Sequence, residues 1–202
     1  MCPQKEDRRI RRTKKLLKNS LAELICEKNF KDITVKDITE RADLNRGTFY
    51  LHYCDTYDLL NKVEYELIQN FENAIDEYDP SINNHSAYSV ICQIFDYINE
   101  NFKILKIFFL NNVSPSFTES FINIIMTKGL EVQKNLHKGM SSKDMEYILT
   151  FISYGFIGII RKWLSEDMKM TKENFALIID SILYNSLKIP ENINQLNKKD
   201  CS

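Results

Sequence analysis

Residues 34–53, TVKDITERADLNRGTFYLHY, leave the chain few choices: they read as two short helices joined by a tight polar turn. Thr34 opens the first helix as a hydroxyl cap. Asp37, three residues on, completes a Thr-x-x-acid box and favours the positive helix start. Val35, Ile38 and Ala42, spaced by three and then four, fall on one side, while Lys36, Asp37, Glu40 and Arg41 face water. Asp43, Leu44 and Asn45 then break the period. Leu44 is the apolar anchor of the turn, and Asn45 is placed to cap a second helix from Arg46. Phe49 and Tyr53, four apart, pin the inner face of that helix, which leaves Arg46, Gly47, Thr48, Tyr50 and His52 outward. This is the layout of a helix-turn-helix whose second helix enters a DNA major groove. A guanidinium, a hydroxyl, a phenol and an imidazole beside a glycine suit bases and phosphates.

The rest of the chain keeps the helical period. Five glycines and four prolines in 202 residues, with 44% hydrophobic content, favour long helices with a packed core and predict an all-α fold of about nine helices. A first helix is expected from about Arg8 to Glu27, with Leu17, Leu21, Leu24 and Ile25 as its inward stripe. Asp55 is placed to cap a long fourth helix carrying Leu59, Leu60, Val63, Leu67 and Phe71, expected to end at Asp79–Ser81. Further helices are expected around Tyr88–Ile98, Ile104–Leu110 and Phe117–Leu130, with a stop near Gly139. Two more follow, one over Tyr147–Trp163 behind a Ser141 or Ser142 cap and one capped by Thr171, with Pro190 ending the ordered chain. The expected division is residues 1–60 as a basic arm and helix-turn-helix domain, 61–190 as a helical regulatory domain, and 191–202 as a polar tail.

A net charge of -1 conceals a local asymmetry. Lys5, Arg8, Arg9, Arg11, Arg12, Lys14, Lys15 and Lys18 crowd the first twenty residues against only Glu6 and Asp7. Such an end suits phosphates, with an acidic remainder that does not touch nucleic acid; a solvated helix start is the alternative. Cysteines 2, 26, 54, 92 and 201 make no CxxC pair and have no histidine at ligand spacing, so neither a metal site nor a disulfide frame is expected. No membrane span is expected, and the basic N-terminus lacks an apolar segment behind it, which points to a cytoplasmic protein. Cys92 and His137 have no partner placed by the sequence, so no catalytic residue and no cofactor is assigned.

Phe30, Ile33–Thr34–Val35, Ile38, Ala42, the run Asn45–Tyr50, His52–Tyr53 and Leu59–Leu60 resemble the N-terminal pattern of the tetracycline-repressor (TetR) family of bacterial regulators. The segment Tyr154–Leu164 resembles a branch of that family related to the dihydroxyacetone-kinase regulator. Arg46 is suited to a bidentate contact with guanine, Thr48 to a thymine methyl or a phosphate, and Gly47 to close backbone approach. Thr34 adds a hydroxyl and helix-end amides for a phosphate. The resemblance implies phosphate contacts for Tyr50 and His52; packing at a helix surface is the alternative. Asn45 completes the DNA-contacting set as the cap of the reading helix. At Thr56 the chain departs from the family, which commonly has a phosphate-binding lysine there; a hydroxyl still bonds a phosphate, but without the charge.

Gly155 and Gly158 sit inside an otherwise strong helix, where each costs about 1 kcal/mol against alanine, so a close helix approach is expected. A homodimer through the last two helices, around Gly155, Gly158, Ile178 and Ile182, is one reading, and a buried contact within the chain is the other. Phe95, Phe102, Phe108, Phe109, Phe117, Phe121, Tyr147, Phe151 and Tyr154 are either plain core or, as the resemblance implies, the lining of a cavity for an apolar or aromatic effector. The expected protein is a homodimeric, ligand-responsive repressor of a palindromic operator. The rivals are a co-regulator acting through a protein or ligand complex and, with no acid–base pair or nucleophile motif in its favour, an enzyme.

Overall fold

Nine α-helices and one 3-10 turn make up the regular structure among the described residues of the computed structural model, which are 8–77, 86–111, 113–136 and 142–199. The helices are α1 (Arg8–Glu27), α2 (Val35–Arg41), α3 (Arg46–Tyr50), α4 (Thr56–Asp76), α5 (Tyr88–Glu100), α6 (Phe102–Leu110), α7 (Pro115–Leu136), α8 (Ser142–Ser165) and α9 (Lys172–Lys199), with the 3-10 turn at Phe30–Asp32. The fold is all-α, as the periodicity predicts. Lys5, the break at Asp79–Ser81, the stop at Gly139, the Ser141 cap, His137, Cys2 and Cys201 lie outside the described residues or their described side chains.

The chain sorts into two compact units. The first joins residues 1–67 to 101–113. Its core takes Leu17, Leu21, Leu24 and Ile25 from α1, the stripe expected from the period, together with Ile38, Phe49, Tyr53, Leu59 and Leu60. It also takes Ile104, Leu105, Ile107 and Phe108 from α6, which packs on α1. Residues 102–110 were expected with the regulatory region, yet they complete the core of the DNA-reading unit. The physical reason is size: α1 and the two short helices α2 and α3 bury too little apolar surface alone, and a nine-residue helix with seven apolar residues supplies a further wall. Lys103 on Glu23 at 2.8 Å and Lys18 on Glu66 fasten the rim.

The second unit takes residues 68–100 and 114–202. Trp163 lies between Phe95 and Phe175, with ring centroids 4.5 and 4.4 Å away, and its indole N–H donates to the Met170 carbonyl at 3.3 Å. Asp180 on α9 accepts from the Ala87 N–H at 2.6 Å, so α9 caps the start of α5. A β-carbon added at Gly129 would fall 2.4 Å from a methyl of Leu149, so this glycine is what lets α7 lie against α8. Gly155 and Gly158 have nothing within 4 Å of such an atom, which removes the reading that they serve a close contact within the chain. Two further expectations change. α9 continues through Pro190 to Lys199 instead of stopping; an interior proline costs about 3 kcal/mol but removes only one hydrogen bond. By length and composition, Lys143–Ser165 of α8 passes as a membrane span; it packs on α7 and α9 along one side and is exposed along another.

Because α6 closes the first unit, Phe108→Ala is expected to destabilise the protein by about 3–5 kcal/mol. Amide hydrogen exchange should show the loss of protection in α1 as well as α6; a loss confined to α5 and α9 would contradict the grouping.

Candidate nucleic-acid interface

α2, the turn and α3 are held by local chemistry that the side chains dictate. The Thr34 hydroxyl accepts from the Asp37 N–H at 3.2 Å and donates to the Asp37 carboxylate at 2.7 Å, while the Thr34 N–H donates to that carboxylate at 2.8 Å. The capping box is therefore complete. Lys28 Nζ adds a fourth contact at 2.9 Å, and this ammonium, followed by the Thr34 hydroxyl and N–H, holds the Asp37 carboxyl well below the usual carboxylate range. A second ion pair, Arg41 on both oxygens of Glu27 at 2.5 and 2.6 Å, ties the end of α2 to the end of α1.

The turn ends α2 by a Schellman arrangement: the Leu44 N–H donates to the Thr39 carbonyl at 2.9 Å and the Asp43 N–H to Glu40 at 3.2 Å. Asp43 takes φ 52°, a left-handed conformation that aspartate tolerates better than most side chains. Leu44 is half-buried. Asn45 caps α3, its side-chain oxygen accepting from the Gly47 N–H at 2.9 Å. Helical bonding carries on past Tyr50, since the Tyr53 N–H donates to the Phe49 carbonyl at 3.0 Å.

The inner pins are where the period put them: Phe49 is fully buried and Tyr53 nearly so, with ring centroids 5.6 Å apart. Arg46, Gly47 and Tyr50 are exposed, Tyr50 by 58%, while Thr48 and His52 are half-buried. Arg46 makes no ion pair or side-chain hydrogen bond among the described residues. At Gly47 an added β-carbon would meet only the Asn45 oxygen at an ordinary 3.6 Å, so the fold has room for alanine there. Thr34 is exposed, but its hydroxyl is already spent on Asp37.

Thr56 stands apart from the other seven residues, buried to 8% exposure at the start of α4. Around it are two carboxylates: Asp55 accepts from the Asp58 N–H at 2.7 Å, and Asp58 accepts from the Cys54 N–H at 2.8 Å and pairs with Lys62 at 2.9 Å. Lys62 first, then that backbone bond, lowers the Asp58 carboxyl. Leu51 was overlooked in the sequence, although it lies one turn after Gly47 and so on the same outward face; it is 79% exposed.

The second unit holds a cavity of about 170 Å³. Phe71, Ile91, Ile94, Leu149, Phe156 and Ile179 line it, with Lys128 as the charged residue of the lining. None of the nine aromatic residues weighed in the sequence lines it. Phe95 belongs to the tryptophan cluster, Phe108, Phe109, Phe117 and Phe121 are core, and Tyr147, Phe151 and Tyr154 are exposed by 68, 71 and 63%. Helical spacing locates a face without saying whether that face meets a core, a void or water.

Residues 20–63 match the family described as bacterial regulatory proteins, tetR family, and residues 85–185, half of the chain, match that described as transcriptional regulator C-terminal region. Over 55 residues the chain is 38% identical to the uncharacterised HTH-type transcriptional regulator YxbF of Bacillus subtilis, a match spanning 27% of this chain and 14% of that protein's length. Among solved structures, the dihydroxyacetone kinase operon activator DhaS is similar at TM-score 0.58 and 17% identity, covering 89% of this chain and 96% of DhaS. The SmeT–triclosan complex is similar at TM-score 0.61 and 16% identity, covering 86% and 90%.

The capping box sets an acid dependence. The Asp37 carboxyl is lower in the folded than in the unfolded chain, so its stabilisation is present above the unfolded value of about 4 and is lost as pH falls below it. Thr34→Ala should cost about 1 kcal/mol at pH 7. Asp37→Asn should be less stable than the parent at pH 7, and urea unfolding should show that gap closing towards pH 3; a gap independent of pH would refute the assignment.

Proposed function

The chain belongs to the tetracycline-repressor family of bacterial transcriptional regulators, and from that premise we propose that it is a homodimeric, effector-controlled repressor working in the cytoplasm. It is a DNA-binding regulator and not an enzyme. The observation that carries the finer reading is the outward face of α3: an unengaged Arg46, an open Gly47 and an exposed Tyr50 on a helix pinned from behind by Phe49. Arg46 reads a guanine edge through two hydrogen bonds, Leu51 and Thr48 lie against thymine methyls or sugar, and Tyr50 and His52 hold phosphates. Thr34 joins them when a phosphate draws its hydroxyl from Asp37, and Asn45 serves by fixing the helix start.

Dimerisation through α8 and α9 rests on what those helices leave uncovered. Tyr147, Phe151, Tyr154 and Gly158 recur at four-, three- and four-residue steps along α8 with Gly155 beside them, all exposed, and Leu177, Ile178, Ile182 and Tyr184 are exposed along α9. An apolar face of that kind on a soluble protein marks an interface, and the two glycines allow backbones to approach. A two-fold dimer then presents two copies of α3 to a palindrome with half-sites about 34 Å apart. The cavity is the effector site. α4 begins beside the reader and brings Phe71 and Ile75 to the cavity lining, so a ligand that prefers one position of α4 weakens operator binding by its differential affinity for the two states. SmeT, solved with triclosan, is a relative in which a small molecule is bound.

A second reading, a co-regulator that does not hold DNA itself, draws on the buried Thr56 between Asp55 and Asp58, where a cation on phosphate is missing. DhaS, a structural relative, is named as an operon activator. Gel-shift titration against the DNA upstream of the gene separates the two. Arg46→Ala should weaken the complex by about 1–3 kcal/mol and relax the preference at one base pair, and Tyr50→Ala should weaken it on all sequences. No complex with the parent protein would favour the co-regulator. Sedimentation should show a dimer that Phe151→Asp converts to monomer with its helix content kept; an unchanged mass would refute the α8–α9 interface.

A further inference from the structure

Two side chains of α4 grip the turn that joins α3 to α4, one on each polarity of the main chain. The helical ladder of the reader ends where the Tyr53 N–H donates to Phe49 at 3.0 Å, and the next amide, that of Cys54, donates to the Asp58 carboxylate at 2.8 Å. Just before it, the His52 carbonyl accepts from Lys62 Nζ at 3.2 Å. Lys62 also bonds Asp58 at 2.9 Å, on the same oxygen that takes the Cys54 N–H, and its ammonium lies over the Tyr53 ring, 5.4 Å from the centroid. One acid–base pair, a single turn apart on α4, thus reaches His52, Tyr53 and Cys54.

A half-exposed pair of this kind adds little to the stability of the whole protein. Its effect is local. In a helix of five residues, Asn45 fixes the start and Phe49 the rotation, and both act ahead of the end from which Leu51 and His52 project. A lysine at that end satisfies an orphan carbonyl and sits at the negative pole of the helix. Two of the three ammonium hydrogens go to Asp58 and His52, so the charge is committed to the protein more than to a phosphate. We propose that Lys62, oriented by Asp58, is a positioning residue for DNA reading, which sets the tilt of the far end of α3 without itself touching DNA. The inference rests on the reading of α3 as the helix that enters the groove.

The test uses the full-length protein, a duplex selected by the parent protein from a random library, and a scrambled duplex of the same length, with Kd read by fluorescence anisotropy between about 50 and about 200 mM KCl. Lys62→Met keeps the stem and removes the ammonium. It should weaken binding to the selected duplex about fivefold and leave the scrambled duplex within about twofold, because contacts are misplaced and not deleted. The slope of log Kd against log salt should stay at the parent value, whereas a lost phosphate contact would reduce it by about 0.9. Lys62→Arg, which still donates to a carbonyl and a carboxylate, should bind as the parent does. In the free protein, amide exchange at Leu51–Cys54 should quicken about fivefold in Lys62→Met and in Asp58→Ala, with the amides around Leu21 and Ile38 unchanged. The proposal is overturned if Lys62→Met binds the selected duplex like the parent, if both duplexes lose equally and the slope drops, or if exchange at Leu51–Cys54 does not change. If the parent selects no duplex, the reading of α3 itself fails and takes the inference with it; selection by the parent with Lys62→Met unaffected sinks the inference alone.

Discussion

The burial of Phe49 is the constraint on which the reading surface depends. α3 has five residues, far fewer than an isolated helix needs to persist in water, so its own hydrogen bonds do not hold it. A fully buried ring, with Tyr53 one turn on, fixes its rotation against α2. Asn45 and the Schellman turn at Asp43 fix where it starts. Every outward group, from Arg46 to His52, inherits its direction from that pin. The reader is thus precise without being large, because its side chains sit on a helix whose back is packed.

Charge does a different job at each end of the unit. The cations of α1 and the unengaged Arg46 offer long-range attraction to phosphate, which falls with salt. The two ion pairs that tie Glu27 and Lys28, at the end of α1, to α2 are surface contacts worth little singly. At α4 the sign reverses, since Asp55 and Asp58 cap the helix with negative charge. A carboxylate there satisfies orphan amides as well as a phosphate would, so capping and DNA contact compete for the same N–H groups.

In the second unit the exposed aromatic face of α8 and the filled tryptophan cluster show that aromatic content alone does not mark a core. Trp163 is buried because Phe95 and Phe175 flank it on two other helices, whereas Phe151, on the same helix as Trp163, faces outward. The cavity forms where aliphatic residues from α4, α5, α7, α8 and α9 converge without filling the space, and the glycine at 129 brings α7 close enough to α8 to close one side.

Much of this protein was legible from residues 34–53 and the helical period. The Thr34–Asp37 box, the Asn45 cap, the Phe49–Tyr53 inner face and the α1 stripe depend on neighbours within a few positions, where side-chain chemistry and spacing decide the outcome. Tertiary structure alone decided the rest. It buried Thr56, drew α6 into the reader's core, left Gly155 and Gly158 facing open space, carried α9 past Pro190, and lined the cavity with Phe71 and Phe156 instead of the aromatics that stood out in the sequence. Each of these turns on which helices meet across long stretches of chain. A period of 3.6 residues says which side of a helix is apolar; what covers that side is set by the packing of all the others.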